Sequence, residues 1–341
     1  MTLLPIVYAC DNFQIQASSE SLTPFYVHVP PRPNEPIIGL LRDSILRELE
    51  NYNESLTSEG LEPIWNIISS DPLRETSSRV AGAFGKNSTK MVGFSSSLST
   101  PESRSEAIKV MCERWHRTAA PFGDLIAGKM WRNELYPIYS HPFVVDASTE
   151  AFAMERAATP LFGVVTYGVH LTMYTSDYRI WIPRRAKTKQ TFGGMLDNTV
   201  AGGIPRGYTA YDSMVKECME EASLPEHVVT PHIKPAGAVS YFYQTKKGWL
   251  QPEVEYVYDL LVPAGQEDSV DFTPKPFDGE AESFDLLPMD VVREKMLAGE
   301  FKPNCALVVL DFMVRHGFVT AENEPNLLEI LSRMHGSFGY A

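Results

Sequence analysis

The sequence predicts an α/β protein. Two pairs of strand-like segments stand on either side of one amphipathic helix, two helical patterns follow, and the region ahead mixes short apolar runs with turn residues. The first pair is Leu161–Thr175, rich in Val, Tyr and Thr, then Ser176-Asp177 and the run Tyr178–Ile182, a hairpin pattern. The second pair is Gly237–Gln244 and Glu253–Val262, where Val254, Tyr256 and Tyr258 alternate, with Thr245-Lys246-Lys247-Gly248 at the turn. Helical spacing recurs over Met289–Leu297 and Asn304–His316. Nearer the start, Pro30-Pro31-Arg32-Pro33-Asn34 marks a turn, and Ile38, Leu41, Ile45 and Leu46 predict a helix over 37–50. A Ser-rich loop, Ser95–Thr100, feeds a further helix through Ile108, Met111 and Trp115. Thr100 is its N-cap, and Pro101 takes the first helical position, where a missing N–H costs little.

At 341 residues the chain holds about two domains of ~100–200 residues each. The boundaries read as 1–150 for a smaller α+β accessory domain, 151–320 for a second domain, and 321–341 for a tail. Hydrophobic residues at 44% and charged residues at 21% are ordinary for a folded globular chain. The net charge of −13 argues against a general nucleic-acid binder, which needs a basic face, and against adsorption to anionic membranes. An anionic substrate must then be held by a local basic cluster or a metal ion. Cys10, Cys112, Cys218 and Cys305 are far apart with no CxxC pair, so neither a zinc site nor a disulfide framework is expected, and a reduced, cytoplasmic setting is. The opening Met1-Thr2-Leu3-Leu4-Pro5 lacks a basic leader pattern, and no run approaches the ~20 apolar residues of a membrane span.

The chemistry concentrates in the 23 residues from Gly202 to Leu224. Thr209 followed by Asp212 is a capping-box-like helix start, and Leu224-Pro225 is the stop. On a 3.6-residue period Met214, Val215, Cys218, Met219 and Ala222 form the apolar face, with Ser213, Lys216, Glu217, Glu220 and Glu221 opposite. Glu217 lies one turn from Glu220 and Glu221. Like charges so placed repel unless a cation neutralises them, and an oxygen-only set suits Mg²⁺ or Mn²⁺ better than zinc. A solvated acidic face is the bland alternative for such a helix. Gly202, Gly203 and Gly207 ahead of it permit a tight loop that can approach a metal and a phosphate.

This unit resembles the Nudix box, G-x5-E-x7-R-E-U-x-E-E-x-G-U, where U is a bulky aliphatic residue. Gly202, Glu217, Glu220, Glu221 and Leu224 match it; Tyr208, Lys216, Cys218 and Ser223 stand where Glu, Arg, an aliphatic residue and Gly are usual. The flanks Trp131-Arg132-Asn133-Glu134-Leu135-Tyr136-Pro137 and Leu161–His170 make the chain similar to one Nudix subfamily, the fungal and plant proteins related to thiamine pyrophosphokinase. With 24 residues after Gly317, the kinase domain that some relatives carry is not expected here. The resemblance implies an α/β/α sandwich with a mixed sheet behind an accessory domain. It also implies a Mg²⁺-dependent diphosphatase that splits thiamine diphosphate, or its oxidised analogues, into monophosphate and phosphate.

Glu217, Glu220, Glu221 and Gly202 are the expected metal-holding residues, the three glutamates being catalytic. A fourth carboxylate is sought in Asp278–Phe284, with Glu282 slightly favoured over Glu280 as ligand or base. Arg184, Arg185, Lys187 and Lys189, four cations in six residues, are the expected phosphate clamp, and Asp197 joins them as substrate-binding. Tyr241, Tyr243 and Trp249 read as strand-packing aromatics before ring-binding ones, and His170 as a satisfied core histidine. The alternatives are a Nudix hydrolase for a prenyl diphosphate or nucleoside-diphosphate derivative, and a non-catalytic binding module. The small-molecule diphosphate is the expected partner, with the oligomeric state left open, a homodimer included.

Overall fold

The computed structural model describes residues 2–69 and 90–340. The chain divides into two compact units, each discontinuous in sequence: residues 13–166, 242–252 and 337–341 in one, and residues 1–12, 167–241 and 253–336 in the other. Up to residue 166 the elements are α1 (Leu4–Cys10), β1 (Leu22–His28), β2 (Gly39–Arg42), α2 (Asp43–Ser58), β3 (Trp65–Ser69), β4 (Lys90–Phe94), α3 (Pro101–Thr118), α4 (Gly123–Ile126), β5 (Leu135–Tyr139), β6 (Glu150–Glu155) and α5 (Thr159–Phe162). All but α1 belong to the first unit. Its four-stranded sheet runs β2-β1-β4-β3 and is mixed, β1 pairing in parallel with β4 and antiparallel with β2. A ring cluster of Phe25, Trp65, Phe94, Phe152 and Phe162 fills its core. Thr100 caps α3 as expected, its hydroxyl accepting the Ser103 N–H.

The helix expected over 37–50 begins only at Asp43. Ile37, Ile38, Leu40 and Leu41 are all buried, so both faces of the run are covered, and a short continuous apolar run of that kind suits a buried strand as well as a helix. A Cβ on Gly39 would stand 2.4 Å from the Phe162 carbonyl oxygen, so the backbone itself is the packing surface there. In the same way the expected strand over 161–175 starts later, because Pro160 opens a helical turn that Gly163 closes at φ +52°.

The second unit adds nearly all of β7 (Thr166–Tyr174), β8 (Ile180–Arg185), β9 (Val200–Gly203), α6 (Ala210–Ala222), α7 (Glu226–His232), most of β10 (Ile233–Gln244) and of β11 (Leu250–Leu261), β12 (Ala281–Leu287), α8 (Met289–Leu297), α9 (Pro303–Arg315) and α10 (Leu327–Met334). Its sheet runs β10-β11-β7-β8-β12, with β9 pairing on β7. The β8–β12, β7–β8 and β7–β9 pairs are antiparallel, and a lone parallel bridge ties Leu196 to Phe301. The α/β class that the sequence predicts is the one observed. Helix α9 buries an unbroken stretch from Asn304 to Met313, and α1 packs on α9 and α10. Among the described residues no helix is long and apolar enough to cross a membrane, and all four cysteines are free and buried.

Candidate active site

Helix α6 is built as its sequence dictates at both ends. The Thr209 hydroxyl accepts the Asp212 N–H at 3.1 Å, and Asp212 sits in the first turn, where the helix dipole favours a negative charge. The helix closes on Ser223 at φ +54°, with the Leu224 N–H returning to the Cys218 carbonyl. Ser223 therefore holds the left-handed position for which glycine is the unstrained choice, which accounts physically for the glycine usual in that box position. The buried face is Met214, Cys218 and Ala222 with Ser213, while Met219, expected inside, is 44% exposed. Met219 lies a full 100° around the helix from Cys218, so the buried stripe that 214, 218 and 222 define leaves it on the flank.

Strand β9 brings Gly202 against this helix. A Cβ there would stand 2.5 Å from Glu217 Cδ, so only glycine leaves room for the carboxyl group. One turn on, Glu221 Oε2 accepts the Ala201 N–H at 3.1 Å. Burial pushes the Glu217 carboxyl up against the pull of Lys216. Glu221 is pushed well up by burial, then by the negative charges of Asp197 and Glu217, and it hydrogen-bonds Glu280. Burial pushes Glu280 up as well, but Lys189 and the bond from Glu221 outweigh it and hold that carboxyl below its usual range. Glu221 and Glu280 are therefore pushed in opposite directions, Glu221 up and Glu280 down. Glu220, more exposed, pairs with Lys216 Nζ, which also reaches Glu217 Oε1 at 3.4 Å.

The structure thus brings Glu217, Glu221 and Glu280 to one end of β9 and turns Glu220 onto Lys216. Glu280, not Glu282, lies on the glutamate cluster; Glu282 instead accepts the Lys187 backbone N–H at 3.0 Å. The row of cations is largely engaged within the unit. Arg184 donates to the Gly194 carbonyl at 2.8 Å, Arg185 pairs with Asp197, and Lys189 pairs with Glu280. Asp197 also accepts the Asn198 N–H and the Cys305 thiol. Burial works against its charge, but Lys302 and Arg185 outweigh it and hold the carboxyl at about 2. Arg185, Asp197, Glu221, Glu280 and Phe284 line a small pocket. Among the described residues the buried Arg185 Nε has no hydrogen-bond partner.

His170 is a satisfied core histidine, with Nδ1 2.7 Å from Asn198 Oδ1 and Nε2 3.5 Å from Glu255. Tyr241 is buried and hydrogen-bonds Glu255 at 2.7 Å, a packing role. The buried Glu255 and the thiol of Cys305 were not singled out by the sequence; one charge among alternating apolar residues gives little sign that it faces inward.

Glu221 with Glu280 beside it, and Glu217 against a glycine, are oxygen-only donors, the chemistry that a hard divalent cation takes. Among the described residues no group of three or more His, Cys, Asp or Glu side chains is drawn together closely enough to hold one, with Glu220 on Lys216. Strand end, glycine and acidic helix together define an α/β protein in which buried carboxyl groups gather beside a glycine strand.

Comparison with known proteins gives that class a context. A family described as a domain of unknown function, DUF4743, matches residues 2–166. An uncharacterized protein of Saccharomyces cerevisiae is 43% identical over 224 residues, 61% of each chain. Two Arabidopsis thaliana proteins, Nudix hydrolase 20 and Nudix hydrolase 24, both named chloroplastic, are 39% and 37% identical over 60% of this chain. The chain spans 61% of the yeast relative and 52–53% of the plant ones.

Proposed function

We propose that this protein is a Nudix hydrolase that uses Mg²⁺, or Mn²⁺ in its place, to split an organic diphosphate into a monophosphate and phosphate. Its likeness to the two plant Nudix hydrolases supports the class of reaction. The observation that carries the reading is the contact of Gly202 with the Glu217 carboxyl, one turn from a buried Glu221 that hydrogen-bonds Glu280. Glu217, Glu220 and Glu221 would hold the cation, with the Gly202 carbonyl as a further oxygen donor. The cation supplies Lewis acidity, offsetting charge that develops on the phosphoryl oxygens.

The chain's own groups do the rest. Glu280, kept ionised by Lys189, accepts the proton of the attacking water. Arg185, paired with Asp197, offers its guanidinium to the diphosphate oxygens. The organic group is thiamine or an oxidised form of it, a reading supported by the subfamily likeness of the 131–137 and 161–170 motifs.

Phosphate release from a panel of thiamine, oxothiamine, prenyl and nucleoside diphosphates, with and without Mg²⁺, tests both levels. Turnover that needs Mg²⁺ and falls by about a hundredfold or more in Glu220→Gln and Glu221→Gln is expected. Parent-level rates in both variants overturn the metal assignment, and faster turnover of prenyl or nucleotide substrates overturns the thiamine assignment.

A further inference from the structure

The first unit carries a pocket of its own, of about 390 Å³, where the end of α3 meets the turn before β5. Glu113, His116, Arg117, Gly128, Trp131 and Asn133 line it. Two of these side chains form a shelf of rings: His116 and Trp131 stack at 4.4 Å between centroids and 24° between planes. Both rings are fixed in place. His116 Nδ1 lies 2.6 Å from the Ile126 carbonyl, and the Trp131 indole N–H donates to Asn133 Oδ1 at 2.8 Å. Asn133 reaches that bond from a left-handed backbone, φ +54°. At Gly128 a Cβ would meet nothing within 4 Å, so the pocket is open there.

The charged groups beside the shelf are loosely held. Arg117 is 68% exposed, and its ion pair with Glu113 spans 3.9 Å, too long for a firm hydrogen bond. Two pre-set rings, a guanidinium and a carboxylate match three parts of one ligand. A flat heteroaromatic ring stacks on the shelf. An anionic group meets Arg117 in the two-point geometry that phosphate favours. A ring edge rich in N–H donors meets Glu113, an acceptor-only group when ionised. The volume lies within the usual range of small-ligand sites.

We infer that this pocket is a binding site for a purine nucleotide, with a guanine-type donor edge preferred, separate from the carboxylate site of the other unit. Guanine offers Glu113 two adjacent donors, the ring N–H and the exocyclic amine, whereas adenine offers only the amine.

The test is calorimetric titration of the full chain with GMP, AMP and inorganic phosphate, with EDTA present so that metal-dependent binding at the glutamates is silent. Saturable GMP binding is expected, tighter than AMP and far tighter than phosphate alone. It should weaken about tenfold in Trp131→Ala and in Arg117→Ala, lose its preference over AMP in Glu113→Gln, and stay unchanged in Glu221→Gln. Arg117 projects into solvent, so its replacement keeps the test valid should Trp131→Ala fail to fold. No saturable GMP binding in EDTA, binding untouched by the Arg117 change, or phosphate binding as tightly as GMP would each overturn the inference.

Discussion

Gly202 and Glu217 occupy a space that admits one or the other's extra atoms but not both: a methyl group on the glycine would lie 2.5 Å from the glutamate Cδ. Gly202 pairs with Val169 across β7, so the strand is held in place and the carboxyl would have to move. In Gly202→Ala the carboxylate is displaced by about an ångström, a misplacement that costs on the order of a hundredfold in rate. Steady-state phosphate release together with an unchanged melting temperature is the expected pair of results; a rate within twofold of the parent would contradict it.

The two acidic residues of the 280–282 segment should separate cleanly. Glu280 lies on Glu221 and Lys189, whereas Glu282 accepts the Lys187 backbone N–H. Glu280→Gln is expected to lower kcat by about 10²–10⁴-fold, the range of a lost general base, with Glu282→Gln near the parent value. The reverse ranking in the same assay would reassign the base.

Acid should weaken the glutamate-bearing unit through Asp197. Its buried carboxyl is held at about 2, below the ordinary 3.8, by Lys302 and Arg185. A depressed native value means that stability is gained above the unfolded-state pKa and lost as pH falls from about 4 to about 2, on the order of 2 kcal/mol. Glu255, held down by His170, adds to the loss in the same window. Urea midpoints measured from pH 6 to pH 2 should fall less steeply in Asp197→Asn than in the parent, although that variant starts lower because Arg185 keeps a buried charge without its counter-ion.

Ser223 offers a gain instead of a loss. It sits at φ +54° in the helix C-cap, and its hydroxyl reaches the Lys275 carbonyl at 3.2 Å. Ser223→Gly removes the backbone strain at the cost of that one exposed bond and a more flexible unfolded chain. A net rise of about 0.5 kcal/mol in unfolding free energy is expected from urea denaturation.

The parts of this protein that the sequence discloses are those governed by neighbours along the chain. Thr209, Asp212 and the 3.6-residue spacing locate α6, and Thr100-Pro101 locates the start of α3, because caps and periodicity act within a few residues. What stays hidden depends on distant partners. The run Gly39–Arg42 becomes a strand because β1 and the Phe162 backbone are there to meet it. Met219 looks apolar yet lies off the buried stripe. Spacing cannot tell Glu280 from Glu282; the pairing of β12 with β8, which sets Ala281 opposite Arg185, decides it. The cation row reads as an open clamp, yet its partners Asp197, Gly194 and Glu280 come from loops that the pattern of charges does not mention.

The unit that bears the glutamates begins with α1, flanked by Leu3, whose N–H Glu324 accepts, and by Asp11, which accepts from Arg333. On a ribosome adding ~5–20 residues per second, the partners of that first helix emerge roughly 15–60 s after it does. Leu4, Ile6, Val7 and Cys10 must wait that long before α9 can cover them. A gene fragment starting at residue 151 would leave that groove on α9 bare for good, and the shortened product should gather into aggregates.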